Sequence, residues 1–169
     1  MSDTARLRQE MIALLPRLRR FARTLTRSVP EADDLIQDVC LKALDKAGQW
    51  DPAQPLDRWL FRIARNHWIS EIRKRKVRMG EGQIPAEEAT ELRTHDTGEA
   101  GVLAQGLQAQ IAALPEELSS VLLVVSVEGY SYAEAAELFD IPAGTVMSRI
   151  HRARKLLAER LATEEQGVS

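Results

Sequence analysis

Residues 141–157 read IPAGTVMSRIHRARKLL. On a helix advancing about 100° per residue, Val146, Ile150, Ala153 and Leu157 fall on one narrow arc. Thr145, Ser148, Arg152 and Lys155 fall on the opposite side. One face can dock on a small core while the other offers two cations and two hydroxyls, the groups that meet phosphates and base edges in a DNA major groove. The preceding stretch, YSYAEAAELFD from Tyr130 to Asp140, has an Ala-rich apolar helical pattern. Asp140, Ile141 and Pro142 break it. Two short helices joined by a tight turn predict a helix-turn-helix whose second helix enters the groove. The plainer alternative is an amphipathic surface helix with a solvated basic side.

Working back from there, Val102 to Leu114 is helical in pattern, and Pro115 is well placed to start the next helix, PEELSSVLLVVSVEG, which stops at Gly129. VLLVVSV has the composition of a strand, but its Pro-Glu-Glu start and Gly stop favour a buried helix. The first half predicts three helices. Leu7, Met11, Leu14, Leu15, Leu18, Phe21, Ala22 and Leu25 recur at steps of three and four over residues 4–27, until Ser28, Val29 and Pro30 interrupt. Glu31 to Lys46 follows, with acids in its first turn where the helix dipole favours them. After the turn-rich loop GQWDPAQP at 48–55 comes LDRWLFRIARNHWISEIRKRKVR, from Leu56 to Arg78. Residues 80–101, GEGQIPAEEATELRTHDTGEAG, are acidic and poor in apolar groups, and read as a flexible linker. The expected fold is all-α: two small helical domains, 1–79 and 102–163, joined by that linker.

The chain has 169 residues and a formal net charge of −2, which by itself argues against nucleic acid. The distribution argues otherwise. Residues 1–29 are net +5, 30–57 net −5, 58–80 net +7, 81–140 net −11 and 141–160 net +4. Basic blocks that can grip phosphates are embedded in acidic stretches, which suppress nonspecific DNA binding and suit basic protein partners. No apolar run approaches the ~20 residues that cross a bilayer, and the charged start MSDTARLRQEM lacks a signal-peptide core, so the expected location is the cytoplasm without membrane insertion. The single cysteine, Cys40, excludes an internal disulfide and reads as a buried structural thiol. His67, His95 and His151 are scattered, so no metal site is expected. With no nucleophile–base pair and no phosphate-cradling Gly loop, neither catalytic residues nor a cofactor are expected, and an enzyme is the least favoured class.

On the third helix, Arg62, Asn66 and Arg73 share a wedge of about 40°, flanked by Arg65 and Ile69. Trp59, Leu60, Ile63, Ala64 and His67 are expected to face the core, with Trp50 in the loop before and Trp68 on a shoulder. Arginines, an amide and nearby aromatics suit single-stranded nucleic acid, gripping phosphates and stacking displaced bases. Alternatively Trp50 and Trp59 are core and the arginines a solvated face; the residues alone leave both open. DDLIQD, from Asp33 to Asp38, departs from the tighter DDxxD spacing of magnesium-binding prenyl-transfer enzymes and favours an acidic protein-docking surface.

EADDLIQDVCLKAL, then PLDRWLFRIARNHWISEIRKRK, then a linker, then ALPEELSSVLLVVSVEGYSYAEAAELFDIPAGTVMSRIHRARKLL together resemble the extracytoplasmic-function (ECF) sigma factors of bacterial RNA polymerase, over about residues 5–160. The ordered set is more specific than any one motif. The resemblance implies that Asp33, Asp34, Leu35, Gln37 and Asp38 belong to region 2.2, which docks on the β′ clamp helices of the polymerase core. It implies that the 48–55 loop captures a flipped base of the −10 element, with Trp50, Arg62, Arg65, Asn66 and Arg73 as candidate contacts. Residues 142–155 resemble the region 4.2 recognition helix, with Thr145, Ser148, Arg149, Arg152 and Lys155 as candidate −35 contacts, and the helices from about 103 to 128 resemble region 4.1, which meets the β flap. An anti-sigma factor partner is implied by the family alone. Members often carry Lys or Arg where this chain has Met147, which the wheel sets away from the core but off the centre of the DNA face.

Physical lengths agree with these roles. Fully extended, the 22-residue linker spans roughly 70 Å at about 3.3 Å per residue, and promoter elements roughly 16 base pairs apart are on the order of 55 Å distant. Strand separation needs no catalytic group, because each captured base contributes about 1–3 kcal/mol by stacking. Two other classes compete. A stand-alone helix-turn-helix regulator leaves the acidic and long basic helices without a task. A mimic that only sequesters an anti-sigma factor has no use for Arg62, Asn66, Arg73, Ser148 and Arg152.

Overall fold

The computed structural model describes residues 3–78, 106 and 109–166. Among the described residues there is no strand, and the chain divides into two compact units, Met1–Glu91 and Leu92–Ser169. That division falls inside the 80–101 segment expected to be a linker; the segment itself lies outside the described residues.

The first unit is three helices packed pairwise: α1 (Asp3–Thr26), α2 (Val29–Asp45) and α3 (Leu56–Arg78). In α1, Leu7, Met11, Leu18, Phe21, Ala22 and Leu25 are buried, as their spacing in the sequence predicts, while Leu14 and Leu15 of the same repeat are half-buried. Arg27 ends α1 in the left-handed region at φ 58°. Ser28 then caps α2, its hydroxyl accepting from the Glu31 N–H at 3.4 Å, and Pro30 sits in the first turn where a missing N–H costs nothing. A short 3₁₀ turn, Ala47–Gln49, leads to the exposed loop 51–55 and then to α3. The core centres on Phe21 and Phe61, whose ring centroids are 4.8 Å apart at a 35° tilt. At its edge the Arg17 guanidinium donates to Asp57 at 2.6 Å and lies 6.0 Å from the Phe61 ring, clipping α1 to the start of α3.

The second unit begins with helical residues 109–112, then α4 (Glu116–Leu122), α5 (Tyr132–Phe139) and α6 (Ala143–Gln166). The helix expected over 115–129 is α-helical only to Leu122. From Leu123 to Val127 it widens to a π-helical turn, closed by the Glu128 N–H donating to the Leu123 carbonyl at 3.1 Å. Gly129 follows at φ 76°, a conformation that favours glycine. A capping box starts α5: the Glu134 N–H donates to the Ser131 hydroxyl at 3.0 Å, and the Ser131 N–H donates to the Glu134 carboxylate at 2.9 Å. Asp140, at φ 54° and ψ 51°, ends it, and the Ile141 N–H reaches back to the Ala136 carbonyl at 3.0 Å. Pro142 then opens α6 by accepting from Thr145 and Val146. The helix-turn-helix is therefore present, its turn set by local chemistry. Its core is Leu114, Leu118, Val121, Val124, Leu138, Val146, Ile150 and Ala153, all at most 5% exposed.

Candidate nucleic-acid and protein interfaces

On α2, Asp33, Asp34, Gln37 and Asp38 are exposed, as a docking surface requires. Leu35 is not among them. It is 3% exposed, turned inward to the three-helix core, so it holds the helix in place and offers nothing to a partner. Asp38 is also not a free charge. Its Oδ2 lies 3.0 Å from Nε2 of His67 on α3, with Glu71 4.0 Å from the same nitrogen. Along the same seam Arg75 donates to Glu31 at 2.6 Å and lies 5.2 Å from the Trp68 ring. These pairs border a cleft of about 280 Å³ between α2 and α3. Sequence reasoning passed over Arg75 and assigned His67 to the core. It also missed Leu41, 67% exposed and seven residues beyond Asp34, hence on the same face. The i, i+7 spacing was the available signal. Cys40, expected to be buried, is half-buried, and that burial pushes its thiol pKa up.

On α3, Arg62, Asn66 and Arg73 stand exposed on one wedge and Arg65 is half-buried at its margin. The aromatic residues are distributed otherwise than expected. Trp50 is only 7% exposed, packed into the core at the foot of the loop, and cannot stack a displaced base from there. Trp68 is 7% exposed and Phe61 1%, so these two, with Leu56, Leu60 and Ala64, form the buried face. Trp59, expected in the core, is half-buried. It lies about 20° from Asn66 on the wheel, which makes it the aromatic neighbour of the cationic wedge. The loop itself, 51–55, is exposed and tightened by the Ala53 N–H donating to the Asp51 carboxylate at 3.0 Å.

On α6, Val146, Ile150 and Ala153 are at most 1% exposed, while Ser148, Arg152 and Lys155 face solvent. Thr145 is half-buried, and its carbonyl accepts from the Ser148 hydroxyl at 3.0 Å. Arg149 is displaced from the centre of the basic face. It flanks the core arc and lies 3.8 Å from Glu117 of α4. His151, exposed on the same side as Lys155, went unassigned from sequence. Among the described residues no helix is long and apolar enough to cross a membrane, and no cluster of three His, Cys, Asp or Glu side chains has the geometry to hold a metal.

The Sigma-70 region 2 model matches residues 11–78 and the Sigma-70, region 4 model matches residues 104–157. The chain is 34% identical over 160 residues to the ECF RNA polymerase sigma factor EcfG of Rhodopseudomonas palustris, covering 94% of this chain and 86% of that protein. It is 32% identical to the ECF RNA polymerase sigma factor SigF of Caulobacter vibrioides, covering 94% and 87%. Among solved structures, the sigma factor RpoE from Bartonella quintana, in complex with the anti-sigma factor NepR, superposes with a TM-score of 0.75 at 30% identity, covering 92% of this chain and 96% of that one.

Proposed function

The chain belongs to the ECF sigma factors of bacterial RNA polymerase, and on that premise we propose a division of labour between its two units. The first, residues 1–79, docks on the polymerase core through Asp33, Asp34, Gln37 and Asp38, with Leu35 and Trp50 as internal supports. Its α3 wedge of Arg62, Asn66 and Arg73, with Arg65 and Trp59 at the margins, grips the opened −10 strand. The second, residues 102–163, reads the −35 element through Ser148, Arg152 and Lys155 of α6, with Thr145 and Arg149 at the edges. Region 80–101 tethers them. The work is promoter selection and strand capture in the cytoplasm, with no bond made or broken by the chain itself.

One observation carries this reading: acidic and cationic faces stand on adjacent helices of a single small core. The helices that carry the exposed carboxylates, α2, and the exposed arginines, α3, are joined by the His67–Asp38 and Arg75–Glu31 pairs. An anion-rich face suits a basic protein partner, while the cationic one suits a phosphate backbone. A mimic with no DNA partner has no use for the second. An anti-sigma factor completes the picture as regulator, since the related B. quintana protein is found with one.

The test is run-off transcription with purified core enzyme. Core plus this chain should initiate at a discrete set of promoters, and the chain alone should give little specific duplex binding in gel shifts. Strong specific binding without core would instead favour a stand-alone regulator.

A further inference from the structure

Helix α6 exposes two large apolar side chains, Leu161 near its end and Met147 in the recognition segment. Met147 is 55% exposed, while its neighbours Val146 and Ile150 are at most 1% exposed. It shares its arc with Gly144 three residues before, His151 four residues after and Arg154 seven after, all exposed. At Gly144 the space that a side chain would fill is empty to 4 Å. The approach to Met147 is thus open on its N-terminal side, the end of a recognition helix that meets base edges.

The surroundings define the partner. From residue 141 to residue 158 there is no acidic side chain, and Arg152, Arg154 and Lys155 are exposed. Such a surface complements a phosphate polymer and repels a basic protein. In the major groove the C5-methyl of thymine is the apolar group on the base edges, and it is read by apolar contact. A thioether side chain, unbranched and polarizable, adapts readily to such a methyl.

Resting on the reading of α6 as the helix that faces the upstream promoter element, we propose that Met147 is a specificity-determining residue that packs on a thymine methyl there. Arg154 holds the helix on the backbone, Ser148, Arg152 and Lys155 make polar contacts, and Met147 distinguishes a thymine by its methyl.

The experiment uses the full chain with core polymerase on a promoter at which it initiates. Each thymine of the upstream element is replaced singly by deoxyuridine, which keeps pairing and removes only the methyl. For the unmodified chain, one or two positions should lose about fourfold in open-complex formation, the worth of burying one methyl. Met147→Leu should keep that loss, and Met147→Ala should abolish it while retaining dependence on the element. If no position responds to deoxyuridine although a scrambled element still reduces initiation, α6 reads DNA without a methyl contact and the proposal fails alone. If the response persists in Met147→Ala, another group makes the contact and the assignment to Met147 is wrong. If even a scrambled element has no effect, the reading of α6 fails and takes this inference with it.

Discussion

The two units solve the problem of presenting a charged face in different ways. In the second, local chemistry does it. A Ser–Glu capping box, a left-handed Asp140 and a proline place α5 and α6 within the short run from Ser131 to Pro142, and the face of α6 then follows from its period. In the first, no short segment decides which way α3 turns. Its orientation is fixed by Phe61 against Phe21, by Arg17 reaching Asp57 across 40 residues, and by two polar pairs to α2. A surface set by turn residues is robust and readable. A surface set by long-range packing is only as reliable as each distant contact.

The largest effect should come from breaking the first unit at its centre. Phe61→Ala removes a ring that is 1% exposed and stacked on Phe21, at a cost of about 3–5 kcal/mol. Hydrogen exchange, resolved by unit, should show lost protection in α1, α2 and α3 with α4, α5 and α6 unchanged. Equal loss in both would mean that the cores are not separate.

Next in size is the docking face. Changing Asp34 and Asp38 together to Lys reverses two charges on the surface offered to the polymerase, and should weaken core affinity about thirtyfold by titration. Asp38 also holds His67, so the single Asp38→Asn variant distinguishes the roles. Near-unchanged core affinity with weaker binding of a −10 single strand would identify Asp38 mainly as a support for α3. Smaller again is Arg152→Ala, which should reduce transcription from a template with an intact −35 element by about tenfold and leave core binding alone. An equal reduction on scrambled templates would argue that Arg152 meets only phosphates, and would blur the contrast between a reading unit and a gripping unit.

The errors of sequence reading follow the same division. The helix-turn-helix, its buried arc and its basic face were legible because each depends on residues within a turn or two of one another. The three-helix architecture was legible too, from apolar spacing in α1 and from Ser28 and Pro30. What failed was assignment of faces near α3. Leu35 has the right neighbours for docking but the phase of a core residue. Trp50 stands in a loop rich in turn formers, and nothing local states that the loop folds its indole into the core. Trp59 was expected in the core although its phase sets it beside Asn66, while Phe61, given no role from the sequence, is the ring that packing against α1 buries. The π-helical turn at Leu123–Val127 left no sign in the spacing at all.

The smallest effect sharpens the claim that turn chemistry, and not packing, sets the second unit. Helix α5 is eight residues long, too short to be stable by propensity, so its ends matter out of proportion to their size. Ser131→Ala removes the hydroxyl that accepts from the Glu134 N–H and should cost about 1 kcal/mol, read as lower stability of the second unit in denaturant. Ser131→Gly should cost only a few tenths, because an N-cap glycine keeps the backbone free to adopt the capping geometry. At the other end, Asp140→Gly places the residue best suited to φ 54° in that position and should be neutral within about 0.5 kcal/mol, although it removes a side chain. A cap that matters at Ser131 and a side chain that is dispensable at Asp140 is the pattern of a motif held by backbone geometry. If Asp140→Gly instead costs as much as Ser131→Ala, the Asp140 side chain contributes contacts of its own, and the second unit depends on packing as much as the first.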